Sequence, residues 1–252
     1  MLEELKPHIQ ELRERLIKSI GALFVAFIVC FLYWEPILAW IKQPLEDSLS
    51  ASSQVIAYKM GEQFFVAMIV AFFAALMVSL PVIFYQLWSF IAPGLYDNEK
   101  KLVVPFVVSA SIMFTLGAAF AYYIVFPYGF TYLVNFGGDA VTAMISIGEY
   151  LGFFLKLIFG FGVSFELPVL TFFLAVLGLI TDRTLTDFFK YAVLIIFIFA
   201  ALLTPPDILT QFLMAIPLVA LYGISIIIVR MVNPYKGGDQ DEEEEDETAE
   251  RA

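Results

Sequence analysis

The sequence predicts an all-α membrane protein that crosses the bilayer six times. Three observations predict it. Of its 252 residues 61% are apolar and only 15% charged, where a soluble domain carries about 25% charge. Several apolar runs reach the ~20 residues needed to cross a ~30 Å hydrocarbon core. Lysine and arginine fall almost wholly in segments that alternate with those runs and share one side.

Residues 3–19 read as a short amphipathic helix, because Leu5, Ile9, Leu12 and Leu16 recur at steps of 4, 3 and 4, which makes one apolar stripe. Glu11 with Arg15, and Glu14 with Lys18, are i,i+4 pairs in the favourable order. Such a helix is expected in the membrane interface ahead of the first span. This start is too charged for a cleavable secretory signal, so the first span, about 20–34, serves as its own insertion signal.

The polar segment 35–63, with Trp40 and two prolines, is expected to form an interfacial cap of short helical pieces. The second span, about 64–90, holds no charge. The turn 88–105 (WSFIAPGLYDNEKKLVVP) leads into the third span, about 102–126. In that turn Asp97 can cap the following helix, Glu99 stands in its first turn, where the dipole favours a carboxylate, and Trp88 and Tyr96 read as an aromatic belt.

A glycine-rich segment follows. The fourth span, about 150–180, carries Lys156 and Glu166. The fifth, about 188–203, is only 16 residues, or ~24 Å of helix, and so demands local bilayer thinning or burial. The prolines of 204–207 (TPPD) end that helix and start the sixth, about 208–229.

Eleven lysines and arginines lie on one side, Lys42 and Lys59 on the other, and Lys156 within a span. The excess places both termini in the cytoplasm. Prolines 81, 105, 168 and 217 can kink their helices. Small residues at Gly117 with Ala121 and Gly160 with Ser164 permit close helix approach. Bent, uneven helices of this kind predict a curved shell rather than a straight bundle.

The net charge of −11 belongs mostly to the tail, since 239–252 hold nine acids and one arginine. Residues 236–252 cannot bury a core and are expected to be disordered, outside a translocating domain of 1–235.

No catalytic constellation appears: there is no GxSxG, HExxH or Walker loop, His8 is the only histidine, and the lone Cys30 excludes an internal disulfide. Neither metal nor cofactor is expected, nor an enzyme. No internal repeat is evident, which disfavours most secondary transporters, and one Glu with one Lys is a thin case for a channel. Glu166 is the costliest residue in the chain, since a charge at mid-membrane costs at least ~2.5–3.5 kcal/mol. It is either a protonated carboxyl hydrogen-bonded between helices or part of a polar patch for a partner. Lys156 stands ten residues earlier, ~15 Å along the axis, so a direct pair between them is not expected.

Four segments in order, HIQELRERL, QLWSFIAPGLYDNEKKLVVPF, FGVSFELPV and LLTPPDILTQFLMAIP, resemble TatC, the large subunit of twin-arginine protein translocases. The resemblance covers about 1–235 and implies a six-span receptor for folded proteins that carry an Arg-Arg signal peptide. Export would be driven by the proton-motive force across the cytoplasmic membrane. It implies that Glu11 and Glu99 contact the signal peptide, with Leu12, Arg13 and Phe90 beside them, and that Pro44 is linked to function. It further implies that Glu166, Thr204, Asp207 and Gln211 serve small single-span partners, TatA- and TatB-like. Expected partners are therefore signal peptides, those subunits, further copies of the chain and membrane lipid, but not nucleic acid. The chemistry agrees, because a guanidinium offers a planar fork that suits a carboxylate.

Overall fold

The computed structural model describes residues 2–48, 54–91, 103–136 and 144–235. It contains eight α-helices: α1 (Leu2–Leu32), α2 (Trp34–Ser48), α3 (Glu62–Ile91), α4 (Val103–Phe120), α5 (Phe126–Asn135), α6 (Ile147–Val176), α7 (Asp182–Leu203) and α8 (Ile208–Val232). Two short strands, β1 (Gln54–Ile56) and β2 (Met144–Ser146), complete the element order. Six helical stretches are long and apolar enough to cross a membrane: His8–Leu32, Glu62–Ile91, Val103–Asn135, Ile147–Val176, Asp182–Leu203 and Ile208–Val232. The expected six-span, all-α architecture is what the chain adopts. Glu99, Asp97, Tyr96 and the acidic tail 236–252 lie outside the described residues.

Three helix boundaries differ from the sequence reading, each for a local reason. The interfacial helix and the first span are one continuous helix, because the junction holds no proline and its one glycine, Gly21, costs a helix only about 1 kcal/mol. The fifth span is 22 residues rather than 16, or ~33 Å. Its polar first turns are helical because Thr181 and Thr184 form a reciprocal capping box.

The third span does not stop at Phe126 but continues to Asn135 through a π-helical turn, Ala121–Val125. Pro127 has no N–H for the carbonyl one turn before it, and its ring presses on that carbonyl. The π turn makes room by letting Phe126 N–H donate to Ala121 O, five residues back. Residues 127–135, expected as a glycine-rich loop, are therefore helix.

The core is built around α6, which packs against α3, α4, α7 and α8. Phe154, Phe161, Leu151 and Leu157 of α6 are fully buried there. The α4–α6 contact is backbone-close: a Cβ on Gly117 would stand 2.5 Å from Phe161 O, and one on Gly162 would stand 2.5 Å from the Phe114 ring. Gly160 likewise admits Leu203 and Met214. Gly117→Ala is expected to force α4 and α6 apart, because a backbone carbonyl cannot swing away as a side-chain tip can. The cost should be about 1–3 kcal/mol, measured as a lower thermal midpoint of the detergent-solubilised protein. An unchanged midpoint would contradict the packing.

At one end of the bundle, Trp88 stacks on Phe106 (centroids 4.2 Å) and meets Phe173 edge-on (4.0 Å), joining α3, α4 and α6. Trp88 is 3% exposed, so it is a packing residue and not part of a lipid-facing belt. Its indole attached so many apolar neighbours that burial prevailed over its N–H, which has no hydrogen-bond partner among the described residues. Nearby, α6 ends in a Schellman arrangement: Leu179 N–H reaches Leu174 O, Gly178 N–H reaches Ala175 O, and Gly178 takes φ +72°.

The opposite end carries the expected cap, with α2 as its helical piece and a parallel pairing of β1 with β2 that the sequence did not disclose. Glu62, in the first turn of α3, ties it together. Its Oε1 accepts from Ser146 Oγ (2.9 Å) and Gly148 N–H (3.2 Å), and its Oε2 accepts from Tyr58 and Lys59 N–H. Tyr122 and Tyr150 hydroxyls donate to Trp40 O and Ile41 O, which fastens α2 over the π turn and α6.

Candidate functional site

The first group of candidate residues sits where α1 begins and α3 ends. These helices are antiparallel, and Arg15 joins them by donating to Gln86 Oε1 at 3.5 Å. The same guanidinium donates twice to one oxygen of Glu11, Nη2 to Oε1 at 2.9 Å and Nε to Oε1 at 3.3 Å. Glu11 is thus held in place by a helical neighbour, with about 30% of its side chain open to solvent. Leu12 and Arg13 are exposed beside it, and Phe90 is half-buried one turn beyond Gln86. The structure therefore brings Glu11, Leu12, Arg13 and Phe90 to one end of the molecule. The chain leaving Ile91 leads toward Glu99, which lies outside the described residues.

The i,i+4 spacing disclosed the contact between Glu11 and Arg15, as it did that between Lys18 and Glu14 (2.7 Å). It could not disclose Gln86, whose role depends on the register of α1 against α3. A polar residue in an otherwise uncharged apolar run was the available signal.

The second group is divided between two places. Thr204, Asp207 and Gln211 lie at the tight turn between α7 and α8. Thr204 is buried and donates to Ala200 O (3.0 Å). Asp207 caps α8, accepting from Thr210 N–H (2.8 Å) and from the Thr210 hydroxyl. Gln211 donates its amide to Phe197 O at 3.1 Å, binding the two helices near their common tip. Tyr132 and Phe136 at the end of α5 stand opposite this turn across a groove of about 590 Å³ that Asp207, Leu209 and Phe212 also line.

Glu166 is elsewhere, on the middle of α6, 6% exposed. Its Oε1 has no hydrogen-bond partner among the described residues, while the carboxyl faces the Phe114 backbone of α4, an interhelical contact of the kind one sequence reading expected. No hydrogen bond or ion pair joins Glu166 to Lys156 among the described residues, as their spacing foretold. Pro44 is buried in α2, in the cap and away from both groups. Among the described residues no group of three or more His, Cys, Asp or Glu could hold a metal.

Fold and polar groups together define a polytopic, all-helical membrane protein with carboxylates at one end of its bundle and inside a span. The chain belongs to the TatC family: the family described as Sec-independent protein translocase protein (TatC) matches residues 7–217. A Helicobacter pylori strain J99 protein, Sec-independent protein translocase protein TatC, is 51% identical over 98% of this chain and 96% of its own length. The Campylobacter jejuni protein of the same name is 53% identical over 93% of this chain and 96% of its own. A crystal structure described as the twin arginine translocase receptor TatC superposes with a TM-score of 0.81 at 35% identity, covering 89% of this chain and 99% of that one. The protein is thus a translocase component of a family that is not enzymatic.

Proposed function

We propose that this protein is the signal-peptide receptor and core subunit of a translocase that exports folded proteins bearing Arg-Arg signal peptides. The observation that carries the reading is Glu11. It is a carboxylate fixed at the start of a spanning helix by a guanidinium that, among the described residues, takes one oxygen only, with Phe90 at the same end. A second guanidinium can approach Oε2 of Glu11 while Glu99 takes the other arginine of the pair. The lysine and arginine excess puts this end, with both termini, in the cytoplasm of a cell whose cytoplasmic membrane the protein spans.

Thr204, Asp207, Gln211 and Glu166 are assigned to small single-span partners, TatA- and TatB-like; further copies of the chain are a separate partner. Transport draws on the proton-motive force. The segregation of the two groups supports separate duties for them, recognition at one end and assembly within the membrane.

Site-specific crosslinking from positions 11, 99, 166 and 211 tests the assignment. Positions 11 and 99 should capture an Arg-Arg signal peptide, and positions 166 and 211 the single-span subunits. Capture of the signal equally from all four positions, or from none, would refute it.

A further inference from the structure

Lys156 takes no part in either group. It is exposed on α6, within a spanning helix, and no carboxylate or other acceptor pairs with it among the described residues. Glu149, on the same face, is seven residues earlier, about 10 Å along the axis, too far for an ion pair. An unpaired cation in a span marks a functional position by default. What surrounds it is specific. Lys156 lines a groove of about 820 Å³ whose other walls are apolar, with Phe24 and Phe27 from α1, Phe65, Phe72 and Leu76 from α3, and Phe159 beside it.

The depth of the ammonium selects the ligand. Glu62 of α3 holds Gly148 of α6, so these helices start level, and each is 30 residues long. Their midpoints therefore mark one plane. The Lys156 Cα stands ~8 Å from the α6 midpoint, toward the helix start. Helical side chains point back toward the N-terminus, and a snorkelling lysine extends roughly 6 Å that way. The ammonium then reaches ~14 Å from the midplane, at the edge of a ~30 Å core. That edge adjoins the headgroup layer, where lipid phosphates stand within reach of an ammonium. From Phe65 to Leu76 the α3 wall runs ~16 Å deeper, a track for an acyl chain.

We infer that the groove between α1, α3 and α6 is a binding site for one anionic phospholipid, its phosphate on Lys156 and an acyl chain along the phenylalanine wall. The site lies apart from Glu11 and from the α7–α8 turn, and does not depend on their assignment. A lipid held there would fix α1 to α6 across a gap that the protein itself leaves open, since α1 packs chiefly on α3.

The full-length protein in neutral detergent is titrated with phosphatidylglycerol or phosphatidylcholine of matched chains and read by native mass spectrometry. One phosphatidylglycerol should bind with about fivefold preference, the effect of one lysine at a membrane surface. Lys156→Met should abolish that preference and Lys156→Arg should keep it. Neither variant should disturb folding, because the side chain is exposed. Inorganic phosphate at millimolar concentration should not displace the lipid, since it lacks the chain that fills the groove. Equal binding of both lipids, an unchanged preference in Lys156→Met, or displacement by phosphate alone would overturn the inference. So would capture of a partner's carboxylate-bearing span at position 156 together with no lipid preference.

Discussion

Glu11→Ala lowers the affinity for an Arg-Arg signal peptide about tenfold while leaving the helices intact. Hydrogen bonds to a charged group contribute roughly 1.5–3 kcal/mol, and partial exposure at Glu11 moves the value to the low end, where ~1.4 kcal/mol is a factor of ten. Removing the carboxylate also releases Arg15, which then adds an unpaired positive charge facing the incoming arginines; the two effects have the same sign.

Folding should not suffer, since an i,i+4 pair on a helix surface contributes only ~0.2–0.5 kcal/mol. Glu11→Gln keeps the shape but not the charge and should fall between parent and alanine variant. Glu99→Ala should act in the same direction. A Lys-Lys signal should bind the parent more weakly, because an ammonium lacks the planar, pre-organised donor fork of a guanidinium. Titration of a labelled signal peptide into the reconstituted protein reads all of these. Identical affinities for parent and Glu11→Ala would sink the receptor role of this residue.

The spans were legible in the sequence because the membrane imposes a length and a polarity that composition alone reveals. What sequence did not reveal was where polarity stops mattering. Residues 182–187 of α7 are polar except for Leu185 yet helical, because a capping box starts the helix before its apolar part begins. In the third span, Pro127 looked like an end and is instead absorbed by a π turn. The pairing of β1 with β2 joins three-residue strands some ninety residues apart, and no periodicity can show that.

For the sites, local spacing disclosed the contact of Arg15 with Glu11, and the prolines of 204–207 disclosed the turn that Asp207 caps. The distance between the Glu166 position and the α7–α8 turn was not legible, since it depends on how helices bend and stack. A set of polar positions that reads as one group in the sequence is two places in the fold.

That division sharpens the prediction for Glu166. Glu166→Ala should lower transport by about tenfold, the loss expected when one desolvated polar contact at an interface is removed, while signal-peptide affinity stays at the parent value. A stability measurement separates this from a structural role. Were Glu166 an internal hydrogen-bond post, truncating it would strand its partner and cost about 1–3 kcal/mol. Its Oε1 is buried with no partner among the described residues, and the Phe114 backbone that faces the carboxyl lies inside α4, so the alanine variant should keep its thermal midpoint within a few degrees, the loss of packed methylenes being offset by relief from an unsatisfied oxygen.

Glu166→Gln should separate charge from hydrogen bonding, because an amide offers both a donor and an acceptor at any pH. If glutamine restores transport, the partner reads a neutral polar group. If it fails like alanine, the carboxyl's own proton is required, which would connect this buried residue to the proton-motive force. Unimpaired transport in Glu166→Ala, or a variant that unfolds, would remove Glu166 from the assembly role and return it to the interior of α6 as a packing residue.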